Sequence, residues 1–236
     1  MSRVIKDIKL PNKEFSEVKC NKICKRYFID MPYSHFLDLI ESFAIRILKY
    51  RNETKPFRFL KHQEQILKIF YCYMRGDEQF YELVPDQTVY MDKKKRLLKP
   101  DIMKGIMLHG PVGCGKTLLM EAFLEIYNYV ILEEPFLRID AEEWDTQIAD
   151  KSITYFKYRP LFINDFYKEV DESKVWGKPI YPARSTIGLR GETGAWTMAT
   201  SNCKFDLFDK RYGEYISSRM IQLLNFVEII GPNLRK

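Results

Sequence analysis

Eight consecutive residues near the middle of the chain have types and a spacing that suit phosphate chemistry: Gly110-Pro-Val-Gly-Cys-Gly-Lys116-Thr117. The pattern G-x-x-x-x-G-K-[ST] is typical of a loop whose backbone N–H groups cradle phosphates. Lys116 is expected to reach the β and γ phosphates of a nucleotide, and the Thr117 hydroxyl to hold Mg²⁺. The predicted nucleotide-binding residues are Gly110, Pro111, Val112, Gly113, Cys114, Gly115, Lys116, Thr117 and Leu118.

The residues on either side supply the context that such a loop requires. Ile106 to Leu108 form a short apolar run, which is typical of a buried parallel strand. After the loop, apolar residues recur at helical spacing, namely Leu119, Ala122, Phe123, Ile126 and Val130. Because strand, loop and helix follow in this order, we predict that the helix amino terminus binds a polyphosphate anion.

Two later apolar runs end in polar residues: 160–165 ends in Asn164 and Asp165, and 195–202 ends in Asn202. Ligands in parallel sheets lie beyond the carboxyl ends of the strands, so these residues should converge on the loop. Asn202 is expected to hold the attacking water or the γ-phosphate.

Nucleotide hydrolysis requires Mg²⁺ and a group that orients water. Two arrangements of the strand end remain open. Asn164 stands where the Mg²⁺ carboxylate usually is and Asp165 orients the water, or Asp165 serves the metal alone. In both cases one negative charge is missing near the metal, so we expect nucleotide binding with slow hydrolysis.

Strands that alternate with helices indicate an α/β fold with a five-stranded parallel sheet covered by helices on both faces. The predicted strands are 106–108, 135–139, 160–165, 195–202 and 225–230, and the predicted helices follow the loop or cover 34–50, 62–74, 142–150 and 212–224. Residues 1–30 are expected to form a loose arm or a short helix, and 92–96 an exposed basic loop. We predict a small, mostly helical, basic partner-binding region over 1–55 and a nucleotide-binding domain over 56–236.

The composition is that of a soluble globular protein, with 46% hydrophobic and 30% charged residues and a net charge of +6. No apolar run approaches the ~20 residues of a membrane span, and the start lacks a secretion signal. Five cysteines, an odd number, fit reduced thiols. We therefore expect a cytoplasmic protein. Residues 1–30 carry eight Lys or Arg against four acids, which fits either an acidic partner or a solvated arm.

Together these segments resemble the DnaC/IstB-type AAA+ ATPases, which are bacterial helicase loaders and transposition helpers. The resemblance covers about residues 57–236. It rests on 105–117, 161–166, Trp176-Gly177, 199–202, 211–219 and the closing 231–235. It implies an AAA+ P-loop fold without a C-terminal lid domain. It also implies roles for single residues: Walker A for Lys116 and Thr117, Walker B for Asn164 and Asp165, sensor 1 for Asn202, an arginine finger for Arg219, a sensor-2-like arginine for Arg235, and an arginine before the sensor strand for Arg190.

Family members bind ATP with Mg²⁺, assemble into helical or ring oligomers and contact single-stranded DNA. Their amino-terminal region holds a replicative helicase or a transposase. The resemblance therefore implies an ATP-driven switch in DNA replication, a transposition helper, or a scaffold that binds nucleotide with little hydrolysis. Two residues depart from the family pattern: Asn164 replaces an acid, and Tyr167 stands where glycine is common. Residues 155–159 have the composition of a single-strand contact, but their place before a core strand favours packing.

Overall fold

A computed structural model of the protein describes residues 18–21, 26–91, 94–131, 134–175 and 178–234. Arg235, expected to be a sensor-2-like arginine, and the Trp176-Gly177 pair, on which part of the resemblance rests, lie outside the described residues. The strands are β1 (Val18–Asn21), β2 (Arg26–Ile29), β3 (Gln87–Met91), β4 (Lys94–Leu98), β5 (Gly105–His109), β6 (Leu137–Asp140), β7 (Leu161–Phe166), β8 (Ser173–Val175), β9 (Lys178–Ile180), β10 (Thr197–Ser201) and β11 (Leu224–Glu228). The α-helices are α1 (Tyr33–Tyr50), α2 (Glu64–Arg75), α3 (Gln79–Leu83), α4 (Lys116–Val130), α5 (Trp144–Lys151), α6 (Pro182–Thr193) and α7 (Phe205–Leu223).

Five of these strands form one parallel sheet in the order β11-β5-β10-β7-β6, so the prediction of a five-stranded parallel sheet is confirmed. The strand that precedes the glycine-rich loop, β5, lies between β11 and β10. Every residue of β5 and β10 is buried. The apolar residues at their centres, 106–108 and 198–199, follow from this, because a central parallel strand has no solvent face.

Helices cover both faces of the sheet. On one face, α1, α2 and α4 share a core with the even-numbered residues of β5, and the rings of Phe70 and Phe123 stack at 4.3 Å. On the other face, α5, α6 and α7 enclose Met107, with Trp144 and Phe166 in edge-to-face contact. The predicted two-sided packing is therefore present, and it fixes the strand ends relative to the loop.

The described part of the amino-terminal region is built into this core. Helix α1 buries Phe36, Ile40 and Phe43 in the cluster that also contains α4. The expectation of a loose arm or short helix over 1–30 is wrong for β1 and β2, which pair antiparallel. The core also contains a basic residue of β2, Arg26. It is fully buried, and its guanidinium carbon lies 3.6 Å from the centre of the Tyr73 ring.

Two other local expectations also fail. Lys94 to Arg96, predicted as a loop, belong to β4 of an antiparallel hairpin with β3. The pattern misleads because the side chains of Lys95 and Arg96 are exposed, and Arg96 pairs with Glu214 of α7 at 2.8 Å. Helix α7 begins at Phe205, seven residues before its predicted start, and it is interrupted at Gly213, which has φ 76°. Helix α6 was not predicted.

No helix within the described segments has both the length and the apolar character needed to span a bilayer.

Candidate functional site

The glycine-rich loop leaves the carboxyl end of β5 and enters α4 through a left-handed turn. Gly115 precedes the first residue of α4 and has φ 92°, a conformation that costs a side chain about 1–2 kcal/mol. Gly113 has φ 82°, and a Cβ there would collide with the Asn233 side chain. The Leu234 N–H donates to the Gly113 carbonyl at 2.9 Å. Glycine is thus required both by the turn and by the segment packed behind it.

Lys116 is buried at the start of α4, and its ammonium points into the loop. Its Nζ donates to the carbonyl oxygens of Gly110 at 2.9 Å and of Pro111 at 2.7 Å. Cys114 is fully buried and its Sγ lies 3.7 Å from the same ammonium, whereas Val112 is exposed. The loop therefore presents a cation within a ring of backbone groups.

Thr117, the next residue of α4, contacts the end of a different strand. Its hydroxyl donates to Asn164 Oδ1 at 3.0 Å. The same oxygen accepts the Thr200 hydroxyl at 2.9 Å, and the Thr200 oxygen accepts the Asp165 amide at 3.1 Å. The structure thus brings the loop, β7 and β10 together through one amide oxygen.

The other end of the Asn164 side chain faces β6. Asn164 Nδ2 donates to Asp140 Oδ1 at 2.7 Å. Arg138 forms a two-point contact with the Asp140 carboxylate, at 3.0 and 2.7 Å. Burial alone would raise the pKa of Asp140, but the hydrogen bonds from Arg138 and Asn164 hold it below its ordinary value. Asp140 is therefore a carboxylate at neutral pH.

Arg138 extends this network to the amino-terminal helix α1. It pairs with Glu121 of α4, which also pairs with Arg51 just after α1. Glu121 is almost fully buried, and burial raises its pKa against the opposing effect of the two arginines. Two acids and two arginines thus form a chain of ion pairs that reaches from α4 to the end of β6.

Asp165 follows Asn164 in a distorted stretch of β7. It has φ 55°, and the pairing of β7 with β10 shifts register at this point. Its carboxylate accepts the Lys168 ammonium at 2.7 Å, and this hydrogen bond is the main cause of a raised pKa for Lys168. The two residues of the predicted Walker B pair therefore point to different partners.

The turn after β7 is fixed by α7. Tyr167, at the position where glycine is common, has φ 93°. Arg211 donates to the carbonyls of Tyr167 and Glu169, and its guanidinium carbon lies 4.6 Å from the centre of the Tyr167 ring. Glu169 is buried, which raises its pKa, and it accepts the Tyr212 hydroxyl. Arg211 and Tyr212, at the start of the segment 211–219, thus hold the turn that follows β7 through hydrogen bonds.

Asn202 directly follows β10 and is partly buried. The preceding Ser201 ties the strand ends together, since its carbonyl accepts the Gly110 N–H at 3.2 Å and its hydroxyl donates to the Phe166 carbonyl at 2.7 Å. Asn202 therefore lies at the edge of the sheet from which the loop emerges, as the sequence predicts.

The two predicted arginines of α6 and α7 lie toward the opposite edge of the sheet. Arg190 donates to the carbonyls of Phe156, Arg159 and Trp196 and to the Thr197 hydroxyl, beside the amino ends of β7 and β10. Arg219 is partly buried and donates to Gln222 at 3.0 Å, five residues before β11 begins. Neither side chain is brought to Lys116 of its own chain.

Residues 155–159 also lie near the amino end of β7. Phe156 is buried, which agrees with packing, whereas Tyr158 is exposed and Arg159 lies over the Tyr155 ring at 4.6 Å. This segment is remote in the sheet from the loop.

Four polar residues of this edge were missed at the sequence level: Asp140, Arg138, Thr200 and Lys168. The signal for Asp140 was present, because β6 ends in this acid. The predicted strand stopped at Ile139, one residue too early. Thr200 lies within a fully buried strand, where nothing in the sequence marks it as a partner of Asn164.

A strand, a glycine-rich loop and a helix at the carboxyl edge of a parallel sheet with the strand order β11-β5-β10-β7-β6 define an α/β fold of the P-loop class. Among solved structures, the chain is similar to a protein described as a putative primosome component from Streptococcus pyogenes serotype M3 (17% identity, 72% of this chain and 82% of that chain, TM-score 0.49). It is similar to the DnaC helicase loader (18%, 54% and 79%, 0.43). It is also similar to AMPPCP-bound DnaA from Aquifex aeolicus (14%, 76% and 50%, 0.44). No protein-family model and no curated protein matches the chain.

Proposed function

We propose that the carboxyl edge of the sheet binds ATP with Mg²⁺. The observation that carries this proposal is the hydrogen bond of 3.0 Å from the Thr117 hydroxyl to Asn164 Oδ1, made while the Lys116 ammonium faces the inside of the loop. A hydroxyl and an amide oxygen at this place suit a hard cation, and the ammonium and the N–H groups at the start of α4 suit the phosphates. A triphosphate would replace the loop carbonyls as the partner of Lys116.

The side chains present suit a Mg²⁺ ion that binds together with the nucleotide better than one that the protein holds by itself. No three His, Cys, Asp or Glu residues cluster as a metal site in the part of the chain that the structure describes. Mg²⁺ commonly binds through one or two protein oxygens together with substrate phosphates. Thr117 and Asn164 would face it, which favours the arrangement with Asn164 in the metal position and Asp165 as the water-orienting group. When bound, the ion would neutralise charge on the phosphate oxygens.

Slow hydrolysis follows from two features of this edge. Asn164 contributes an oxygen without a charge, and Asp165 is held by Lys168 at 2.7 Å. A group that orients water must accept a hydrogen bond from it, and the ion pair competes for that role. We infer a weak ATPase, with a nucleotide-binding scaffold as the alternative.

At the level of the cell, the proposed role is that of a helicase-loader-like AAA+ switch in DNA replication, with a transposition helper as the alternative. The support is the resemblance of the motif set, from 105–117 to 211–219. The proposed partner is a replicative helicase or a transposase, together with single-stranded DNA and further copies of the chain. The basic amino-terminal residues are the proposed partner contact.

The nucleotide proposal is tested by Lys116→Ala. Calorimetric titration with ATP and Mg²⁺ should show binding to the natural protein and none to the variant, because the phosphates lose their buried cation. Lys68→Ala is the matched control, since it removes an exposed lysine of α2 that is not part of the loop. Equal affinity of the Lys116→Ala variant and the natural protein would refute the proposal.

The partner proposal is tested by capture. The whole chain and a variant lacking residues 1–17 are compared as baits for a purified replicative helicase with ATP present. Loss of capture by the shortened variant supports the amino-terminal contact. A direct DNA contact would be supported if the protein slows labelled single-stranded DNA in a native gel and if this binding weakens steeply as the salt concentration rises.

A further inference from the structure

The carboxylate of Asp140 and the amide of Asn164 lie side by side at the ends of two adjacent parallel strands. Asp140 is the register partner of Asn164, and their side chains meet at 2.7 Å between Oδ1 and Nδ2. Because the amide nitrogen is engaged by an acid, the amide oxygen must face the other way. It accepts the hydroxyls of Thr117 and Thr200, at 3.0 and 2.9 Å.

This contact gives a physical reason for an amide at position 164. An aspartate there would place a second carboxylate oxygen where Nδ2 now lies, against Asp140. Two carboxylates about 3 Å apart cannot both be ionised at neutral pH, and one would take up a proton. An amide avoids the repulsion and replaces it with a hydrogen bond. The pair therefore holds one negative charge in total, on β6 instead of β7.

The charged side chains near Asp140 and Asn164 compensate the negative charge of the Asp140 carboxylate. Arg138 and Arg51 balance Asp140 and Glu121, and the Asp140 side chain is still 37% exposed. Asp140 is thus paired with Arg138 and is open to solvent on one side.

We propose that Asp140 supplies the carboxylate of the cation site, standing one strand away from the usual position and acting beside the Asn164 oxygen. This inference rests on the proposed function and names a further residue of that same site. Mg²⁺ keeps several of its waters in proteins, and a carboxylate can hold it through them. Asp140 is therefore a positioning residue for the hydrated cation, and Asn164 is the link between it and Thr117.

Exchanging the two residues tests the proposal. The natural protein is compared with Asp140→Asn, Asn164→Asp and the double variant Asp140→Asn/Asn164→Asp. For each, the affinity for a fluorescent ATP analogue is measured with Mg²⁺ and again with EDTA. The ratio of the two affinities reports cation binding without any turnover.

The Asp140→Asn variant should lose about 10- to 100-fold of the Mg²⁺-dependent affinity, which is typical for the loss of a group next to a metal ligand. Its affinity in EDTA should be unchanged. The double variant should recover the ratio, since it restores one carboxylate and one amide in contact. A ratio in Asp140→Asn equal to that of the natural protein overturns the inference.

Arg138→Gln separates a cation role from a structural one. It removes the ion pair of Asp140 but leaves the carboxylate, so the Mg²⁺ ratio should be retained even if the melting temperature falls. If Arg138→Gln loses the ratio as fully as Asp140→Asn does, Asp140 has only a structural role and the inference fails. Binding of nucleotide in neither Mg²⁺ nor EDTA would overturn the proposed function and this inference together. Binding with the same ratio in all variants overturns the inference alone.

Discussion

The Lys168 ammonium lies 2.7 Å from Asp165 Oδ2 and 3.5 Å from Glu142 Oε1. Lys168 comes three residues after Asp165, on the turn that follows β7, so the pair closes within one short segment. This lysine engages the carboxylate that we propose as the water-orienting group, and it is 44% exposed. The geometry makes Lys168 a competitor of the water for Asp165.

Lys168→Met should raise ATP turnover while leaving ATP affinity unchanged. The gain should be at most about fivefold, because a partly exposed ion pair is worth about 1 kcal/mol or less. Phosphate release at saturating ATP measures the effect, and Lys68→Met on α2 is the matched control. Slower turnover in Lys168→Met would contradict this reading and would indicate that Lys168 itself contacts the phosphates.

At position 167, a glycine should cause less backbone strain than an alanine. The φ of 93° at Tyr167 lies in the region that costs an ordinary residue about 1–2 kcal/mol, and both substitutions remove the same ring contacts with Phe208 and Arg211. Tyr167→Gly is therefore expected to exceed Tyr167→Ala in free energy of unfolding by about 1 kcal/mol, measured by urea denaturation.

The control for this comparison is the same pair of substitutions at Lys68, inside α2. There the order should reverse, with alanine the more stable by about 1 kcal/mol, since glycine is a poor helix former. A Tyr167→Ala variant as stable as Tyr167→Gly would show that the turn relaxes to an ordinary φ.

The sheet was predictable because its strands carry their own signal. Apolar runs such as 106–108 and 161–163 are long enough for a buried strand, and polar residues or glycine follow them directly. Glycines at 113 and 115, next to Lys116, mark the loop without any tertiary information. The placement of Asn202 at the loop edge then follows from the rule that parallel strands end on one side.

The contacts that define the site could not be derived in the same way. Asn164 meets Asp140 through strand pairing across 24 residues, and the Thr200 hydroxyl reaches Asn164 from a strand that is uniformly buried. The hairpin of β3 and β4 has exposed charges on its strand, so its pattern is that of a loop. These relationships depend on which strands are neighbours, and local propensity carries no record of that order.

Arg190 should stabilise the fold through its buried hydrogen bonds. It is fully buried, with four neutral acceptors, and burial lowers its pKa to about 9, so it remains a cation at neutral pH. Arg190→Met should lower the free energy of unfolding by about 2–4 kcal/mol, because buried carbonyls lose their donors.

Arg190→Lys tests whether geometry or charge matters at this position. A single ammonium cannot reach four acceptors that a planar guanidinium spans, so lysine should be nearly as damaging as methionine. Arg58→Met, at an exposed arginine, is the control and should be within about 0.5 kcal/mol of the natural protein. Full stability of Arg190→Lys would show that charge alone is required.

Arg219 should act on the nucleotide of a neighbouring copy. Its aliphatic part packs against Gly191 of α6, and its guanidinium carbon lies 5.4 Å from the centre of the Tyr215 ring. Helix α7 ends at Leu223, and Leu224 then pairs with Gly105 at the amino end of β5. Since this is the edge opposite the loop, a catalytic role requires a head-to-tail contact between subunits.

Arg219→Ala should bind ATP normally and lose most of its turnover, since an arginine supplied in trans contributes about 10³–10⁵ in rate where it has been measured. Lys116→Ala should be inactive for a different reason. Mixing the two inactive variants in equal amounts should restore roughly a quarter of the natural turnover, because a head-to-tail assembly then contains interfaces with both residues intact. Gln222→Ala, which removes only the neighbour of Arg219, is the control. Steady-state phosphate release measures recovery, and a mixture as inactive as its parts, or an Arg219→Ala variant with natural turnover, would exclude a trans arginine.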